Sequence, residues 1–260
     1  MSIEAAVLPT QYEPPGTADF WIPLIGDGAW AFTRASLLAL VSVGLIWWWL
    51  HATTKKKALV PSMGQMGTEA VYGFVRNGIA KDLIGSKEFL KFVPLLFSLF
   101  VFILVNNLFG VVPPFQNPTM GRIGFPIALT LVVFVVYHWV GIKKHGFVGY
   151  WKSLVPAGLP KAMVPAIFFL ELITDMFTRP VTLALRLFGN MFAGHIMMIL
   201  FITGGWYMLN SGGILPIFGG VTWIMTFVMT LFELLVEVLQ AYVFTLLAAL
   251  YIGGAVADEH

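Results

Sequence analysis

Arg186 sits inside the run Leu183-Ala184-Leu185-Arg186-Leu187-Phe188-Gly189-Asn190, with no acidic residue beside it in sequence. A guanidinium keeps its proton at physiological pH, so it cannot ease its burial by becoming neutral. At membrane depth such a charge costs roughly 2.5–3.5 kcal/mol. A chain that retains it is expected to act on something negative supplied from elsewhere. The surrounding polar residues are regularly placed. Glu171, Asp175, Arg179, Thr182, Arg186 and Asn190 are spaced by 4, 4, 3, 4 and 4, which reads as one helical face. His195 follows nine residues after Arg186, about 180° round and about 13 Å further along a helix. Glu233, Glu237 and Gln240 form a second stripe at i, i+4 and i+7.

The chemistry these types allow is proton handling. Two acids one turn apart repel when both are ionised, and a carboxyl that trades its proton readily is what a proton path requires. His195, facing such a pair, is a candidate relay. Plainer readings exist for each group. Glu171, Asp175 and Arg179 could form a satisfied ladder, and His195 a buried, hydrogen-bonded imidazole. Three ligands, His195, Glu233 and Glu237, could also converge on a metal, although no metal or cofactor is expected. No cysteine cluster, phosphate-cradling glycine loop or His-Glu-x-x-His motif occurs, which argues against redox, nucleotide or zinc-protease chemistry in this chain. An intramembrane serine protease would need serine and histidine at depth, whereas here the deep groups are arginine and carboxylates.

The elements that must position these groups are membrane helices. Of 260 residues, 58% are hydrophobic and 11% charged, against a usual charged share of about 25%. A first span is predicted over about Ala29–Ala52, with Trp47, Trp48 and Trp49 as an interfacial belt before Lys55, Lys56 and Lys57. Residues 63–84 are too polar to span and read as an amphipathic surface helix. Further spans are predicted over about Phe89–Val112 and Phe125–Ile142, the second followed by a polar connection with Lys152 and Lys161. From Val164 the chain is apolar in two blocks, to about Leu209 and about Ala257, parted at Asn210-Ser211-Gly212-Gly213. A helix of about 45 residues is roughly 65 Å long, about twice the hydrocarbon core. Each block is therefore two short spans or one long tilted helix, with kinks allowed at Pro180 and near Gly205.

The lysines fall at 55–57, 81–91 and 143–161, which this span count puts on one side. Arg122 is the only clear cation in the opposite loops. The positive-inside rule makes the lysine side cytoplasmic, with the N-terminus outside and the C-terminus inside. Residues 1–28 carry Glu4, Glu13, Asp19 and Asp27 without Lys or Arg, and are expected to be an extracytoplasmic tail rather than a signal peptide. Residues 29–260 are expected to be a single transmembrane helical domain.

The stretch Arg179-Pro180-Val181-Thr182-Leu183-Ala184-Leu185-Arg186-Leu187-Phe188-Gly189-Asn190-Met191 resembles the most specific motif of subunit a of F-type ATP synthases. Supporting resemblances are Asn107-Leu108-Phe109-Gly110-Val111-Val112-Pro113, Gly141-Ile142-Lys143-Lys144-His145-Gly146 and Leu239-Gln240-Ala241-Tyr242-Val243-Phe244. The resemblance implies an all-α membrane protein of about five passes and one amphipathic surface helix. Its last two helices would form a long tilted hairpin facing a ring of c subunits. It further implies that Arg186 is the essential charge, with Asn190 and Gln240 as polar neighbours. His195 and Glu233 would line the outer half-channel, and Glu171 and Asp175 the cytoplasmic one, with Thr182 also on the proton path. Glu237 is an additional acid on the proton path, taken with Glu233 and His195 on the entry side. Implied partners are the c-ring, the b-subunit peripheral stalk, the F1 sector indirectly and the lipid bilayer, with no nucleic acid. The implied location is a bacterial plasma membrane, and ATP chemistry would belong to other subunits. The rival reading is a free-standing secondary transporter or ion channel with Arg186 as anchor for an anionic substrate. A third is a purely structural membrane scaffold.

Overall fold

The computed structural model describes residues 16, 23–26, 31–55, 61–85, 88–112, 115–155, 160 and 162–257. Among them five helices are long and apolar enough to cross a membrane. These are α1 (Arg34–Thr54), α4 (Val93–Val111), α5 (Gly124–Ser153), the continuous helix over Val164–Leu209, and α8 (Leu215–Val256). The expected tail falls outside the described residues apart from 16 and 23–26, as do Lys56, Lys57 and Lys161. One feature had no sequence signal strong enough to forecast it. Strand β1 (Pro23–Ile25) pairs antiparallel with β2 (Phe32–Thr33) just ahead of α1. The guanidinium of Arg122 donates to Thr33 Oγ1 at 2.7 Å, tying this ribbon to the loop between α4 and α5.

The amphipathic segment is one helical run: α2 (Met63–Gly73), a π-helical stretch Phe74–Lys81, and α3 (Asp82–Ile84). Thr68, Val75, Ile79 and Ala80 face inward while Glu69, Lys81 and Asp82 stay exposed, which fits a one-sided apolar stripe. Its end presses on α8, where a Cβ on Gly253 would lie 2.3 Å from the Leu83 carbonyl oxygen. Only a glycine admits that approach.

The core forms where α4 meets the C-terminal half of α8. Val93, Leu96 and Ile103 are buried against a face that includes Phe244, Ala248, Ala249 and Ile252. Small residues on α8 let the backbones come close, which is how helices gain packing where lipid offers no hydrophobic drive. On the other side of α4, Asn106 Nδ2 donates to Ser42 Oγ at 2.8 Å and holds α1.

Two local details depart from expectation. The third span does not yield to a polar connection at Ile142. Helix α5 continues to Ser153, broken only at Gly146, whose φ of +74° turns the last two turns aside. The 164–209 block is a single helix and not two spans. It comprises α6 (Val164–Ile173), a π-helical turn at Thr174–Thr178, and α7 (Arg179–Leu209). The wider turn just before Pro180 absorbs the proline, which lacks an N–H and crowds the preceding turn.

Helices α7 and α8 run antiparallel along each other. A Cβ on Gly205 would lie 3.0 Å from the Trp223 ring, and one on Gly194 would lie 3.0 Å from Glu233 Oε1. Further along, Asn190 meets Gln240.

Candidate functional site

The π-helical turn decides how the first stripe is presented. One extra residue in a helical turn rotates everything after it by about 100°. The six polar residues from 171 to 190 therefore do not share one face. Asp175 turns inward and is fully buried, whereas Thr182, Arg186 and Asn190 lie on the open side of α7.

Asp175 is held from several directions. Arg179 Nη1 donates to its Oδ1 at 2.5 Å. His138 Nε2 lies 3.2 Å from Oδ2, and Tyr150 donates its hydroxyl to the same oxygen at 3.4 Å. Tyr137 donates to the Asp175 carbonyl at 3.1 Å. The Arg179 guanidinium also lies 5.4 Å from the centre of the Tyr251 ring, within cation–π range. His138, Tyr137, Tyr150 and Tyr251 were not picked out from sequence. The available signal was His138, an ionisable group in the middle of an otherwise apolar span.

Glu171 borders that cluster without bonding to Asp175. It lines a cavity of about 150 Å³ with Tyr150, Ser153, Arg179 and Tyr251. Thr182 donates its hydroxyl to the Thr178 carbonyl at 2.6 Å and is satisfied by its own helix.

Arg186 is exposed and makes no ion pair or hydrogen bond with any described residue. On α7 the exposed residues flanking it are Leu185 one position before and the polar Thr182 and Asn190 one turn either way. One turn further along, Asn190 Nδ2 donates to Gln240 Oε1 at 2.7 Å. Beyond that bond a groove of about 230 Å³ opens, lined by Asn190, Gly194, Met197, Phe232, Glu233 and Val236 among others.

The second stripe faces protein throughout. Glu233, Glu237 and Gln240 are buried, at 5%, 0% and 3% exposure. His195 is buried as well, on the side of α7 away from Arg186. The two acids lean toward different helices. Glu233 packs over Gly194 of α7, and Glu237 over Gly110 of α4. Asn107 Nδ2 donates to the Glu237 carbonyl at 3.1 Å. Neither carboxylate finds a hydrogen-bond partner among the described residues, and the same holds for Gln240 Nε2, Asn107 Oδ1 and Thr119 Oγ1. Buried polar atoms without protein partners are normally served by water. Among the described residues no three His, Asp or Glu side chains gather in a metal-ligating cluster.

Five apolar helices long enough to cross a membrane, with an exposed arginine on one of them, define an all-α integral membrane protein. Residues 35–253 match the family model described as ATP synthase A chain. The chain is 43% identical over 278 residues to the ATP synthase subunit a of Nocardioides sp., with all of both chains covered. It is 42% identical over 270 residues to that of Pseudarthrobacter chlorophenolicus, covering 98% of this chain and 99% of the relative. The subunit a of Streptomyces lividans is 41% identical over 259 residues, 96% of this chain and 89% of its own. The chain belongs to the ATP synthase A chain family.

Proposed function

We propose that this chain is the proton-translocating stator subunit of a rotary F-type ATP synthase, non-catalytic itself, and that Arg186 is its charge gate. The observation that carries the reading is the contrast between two arginines on one helix. Arg179 is paired with Asp175, whereas Arg186 stands exposed with no acid paired to it among the described residues. An unpaired guanidinium at membrane depth calls for a carboxylate brought by a partner. A ring of c subunits, each with one carboxyl at membrane depth, is that partner.

Protons enter from outside through a wet path past Glu237, Glu233 and His195, and reach the ring beside Asn190 and Gln240. The loaded carboxyl is neutral and can travel through lipid. After nearly a full turn it meets Arg186. At about 4 Å and an effective dielectric near 20 the attraction is roughly 4 kcal/mol, enough to favour the ionised acid strongly. The released proton leaves through the cavity of Glu171 and the Asp175 cluster. Arg186 cannot pass a proton on, so it also keeps the two half-paths apart. The membrane potential supplies about 2.3 kcal/mol per charge per 100 mV.

The lysine distribution supports a cytoplasmic C-terminus and an outer N-terminus in a bacterial plasma membrane. The peripheral stalk and, through it, the F1 sector complete the assembly. The test is reconstitution of the complete synthase with Arg186→Ala. ATP-driven pumping should vanish while passive proton leak through the membrane sector rises. Full coupled pumping by that variant refutes the gate. Solute flux through the purified chain alone, without a ring, would instead favour a free-standing transporter.

A further inference from the structure

Glu237 is a fully buried carboxyl whose oxygens have no protein partner among the described residues. Where it points is set by α4 and the turn after it. A Cβ on Gly110 would lie 2.9 Å from Glu237 Oε1, 3.3 Å from Pro118 Cβ and 3.7 Å from Pro118 Cα. The carboxyl therefore occupies the space that a side chain at 110 would take, directly under the loop joining α4 to α5. Two more buried polar atoms on the adjoining elements lack protein partners: Asn107 Oδ1, one turn back on α4, and Thr119 Oγ1, next to Pro118 in the turn Thr119–Gly121. Several unmet polar atoms between one helix end and one loop mark a hydrated spot.

We propose that Gly110 is a positioning residue for Glu237, and that the junction of Gly110, Pro118 and Thr119 is the outer mouth through which water reaches that carboxyl. The inference rests on the uptake-path reading above and deepens it. A methyl group at 110 meets the far end of a flexible side chain at 2.9 Å, and the Pro118 Cβ at 3.3 Å must give by only a few tenths of an ångström. The fold can yield by swinging Glu237 away, so the change displaces the carboxyl more than it disturbs the bundle.

The experiment uses the assembled synthase in membrane vesicles and reads passive proton flux through the membrane sector. Gly110→Ala should lower flux on the order of tenfold or more, the scale of loss when a working group is displaced by about 1 Å. Glu237→Asp shortens the side chain by about 1.5 Å, so the pair Gly110→Ala with Glu237→Asp should return to within about threefold of Glu237→Asp alone. That rescue is not expected of a packing defect. Unchanged flux in Gly110→Ala overturns the proposal, as does an equal loss whichever of Glu, Asp or Gln stands at 237. Glu233→Gln serves as the separate control: if it leaves flux unchanged, the uptake-path reading itself fails. Should Gly110→Ala reduce assembly, Thr119→Cys carries the test, since the chain has no other cysteine. Silver ion added from the outer face should then block flux, and a block only from the inner face overturns the proposed mouth.

Discussion

Asp175 and Arg179 are one turn apart and joined at 2.5 Å, and seven residues further along the same helix Arg186 has no such partner among the described residues. Two arginines on one apolar helix thus meet opposite fates. The first is neutralised by its own chain, and removing its acid should be a stability event. On the reading proposed above, the second serves an outside acid, and removing it should be a functional event.

For Arg186→Lys the charge survives but the fork does not. An ammonium is a compact point charge that can lose its proton when poorly solvated, and it cannot offer two parallel donors. ATP synthesis by reconstituted synthase should fall at least tenfold while assembly stays normal. Wild-type synthesis rates in that variant would show that charge alone suffices.

Glu233→Gln keeps the shape of the side chain over Gly194 and removes its ability to carry a proton. Passive flux through the membrane sector should drop, and the amount of assembled complex should not. Loss of assembly with unaltered flux per complex would mark Glu233 as a packing residue.

Asp175→Asn leaves the Arg179 guanidinium one-third exposed and without its counter-charge. Removing one member of a fully buried pair costs about 3–5 kcal/mol, so with partial exposure about 2–3 kcal/mol is expected. The thermal midpoint of the solubilised complex should fall. Combining Asp175→Asn with Arg179→Gln should cost less than the sum of the single changes.

Gly146→Ala tests the break in α5. A φ of +74° there is strained for any residue with a Cβ, although nothing lies within 4 Å to clash. A loss of about 1 kcal/mol in stability is expected, with Asn tolerated better than Ala. Proton flux should be unaffected, because the polar groups α5 presents to Asp175 flank the break and are separately bonded.

How far the sequence disclosed these arrangements varied with the physics involved. Span number follows from apolar run length, and the inward face of Glu233, Glu237 and Gln240 follows from helical spacing, whereas run length left each of the last blocks as two short spans or one long helix. The 171–190 stripe was misjudged because a π-helical turn leaves almost no trace in composition, and one extra residue is enough to move Asp175 to the opposite environment from Arg186. The ring of groups around Asp175 comes mainly from α5, more than twenty residues earlier, so no local spacing could have linked them. Gly110 was legible only as part of a family-like run. Its bearing on Glu237 depends on a packing distance between helices far apart in the chain. The β ribbon is too short to leave a pattern.

The 42 residues of α8 amount to about 63 Å of helix. Even a whole bilayer of roughly 45 Å cannot contain that upright, and a rod leaning to fit drifts on the order of 45 Å sideways as it crosses. Depth is thereby converted into azimuth. In the proposed stator role, groups near opposite ends of such a leaning rod would address a circular neighbour at separate points on its rim, so that inbound and outbound cargo would be offset by direction of travel as well as by height.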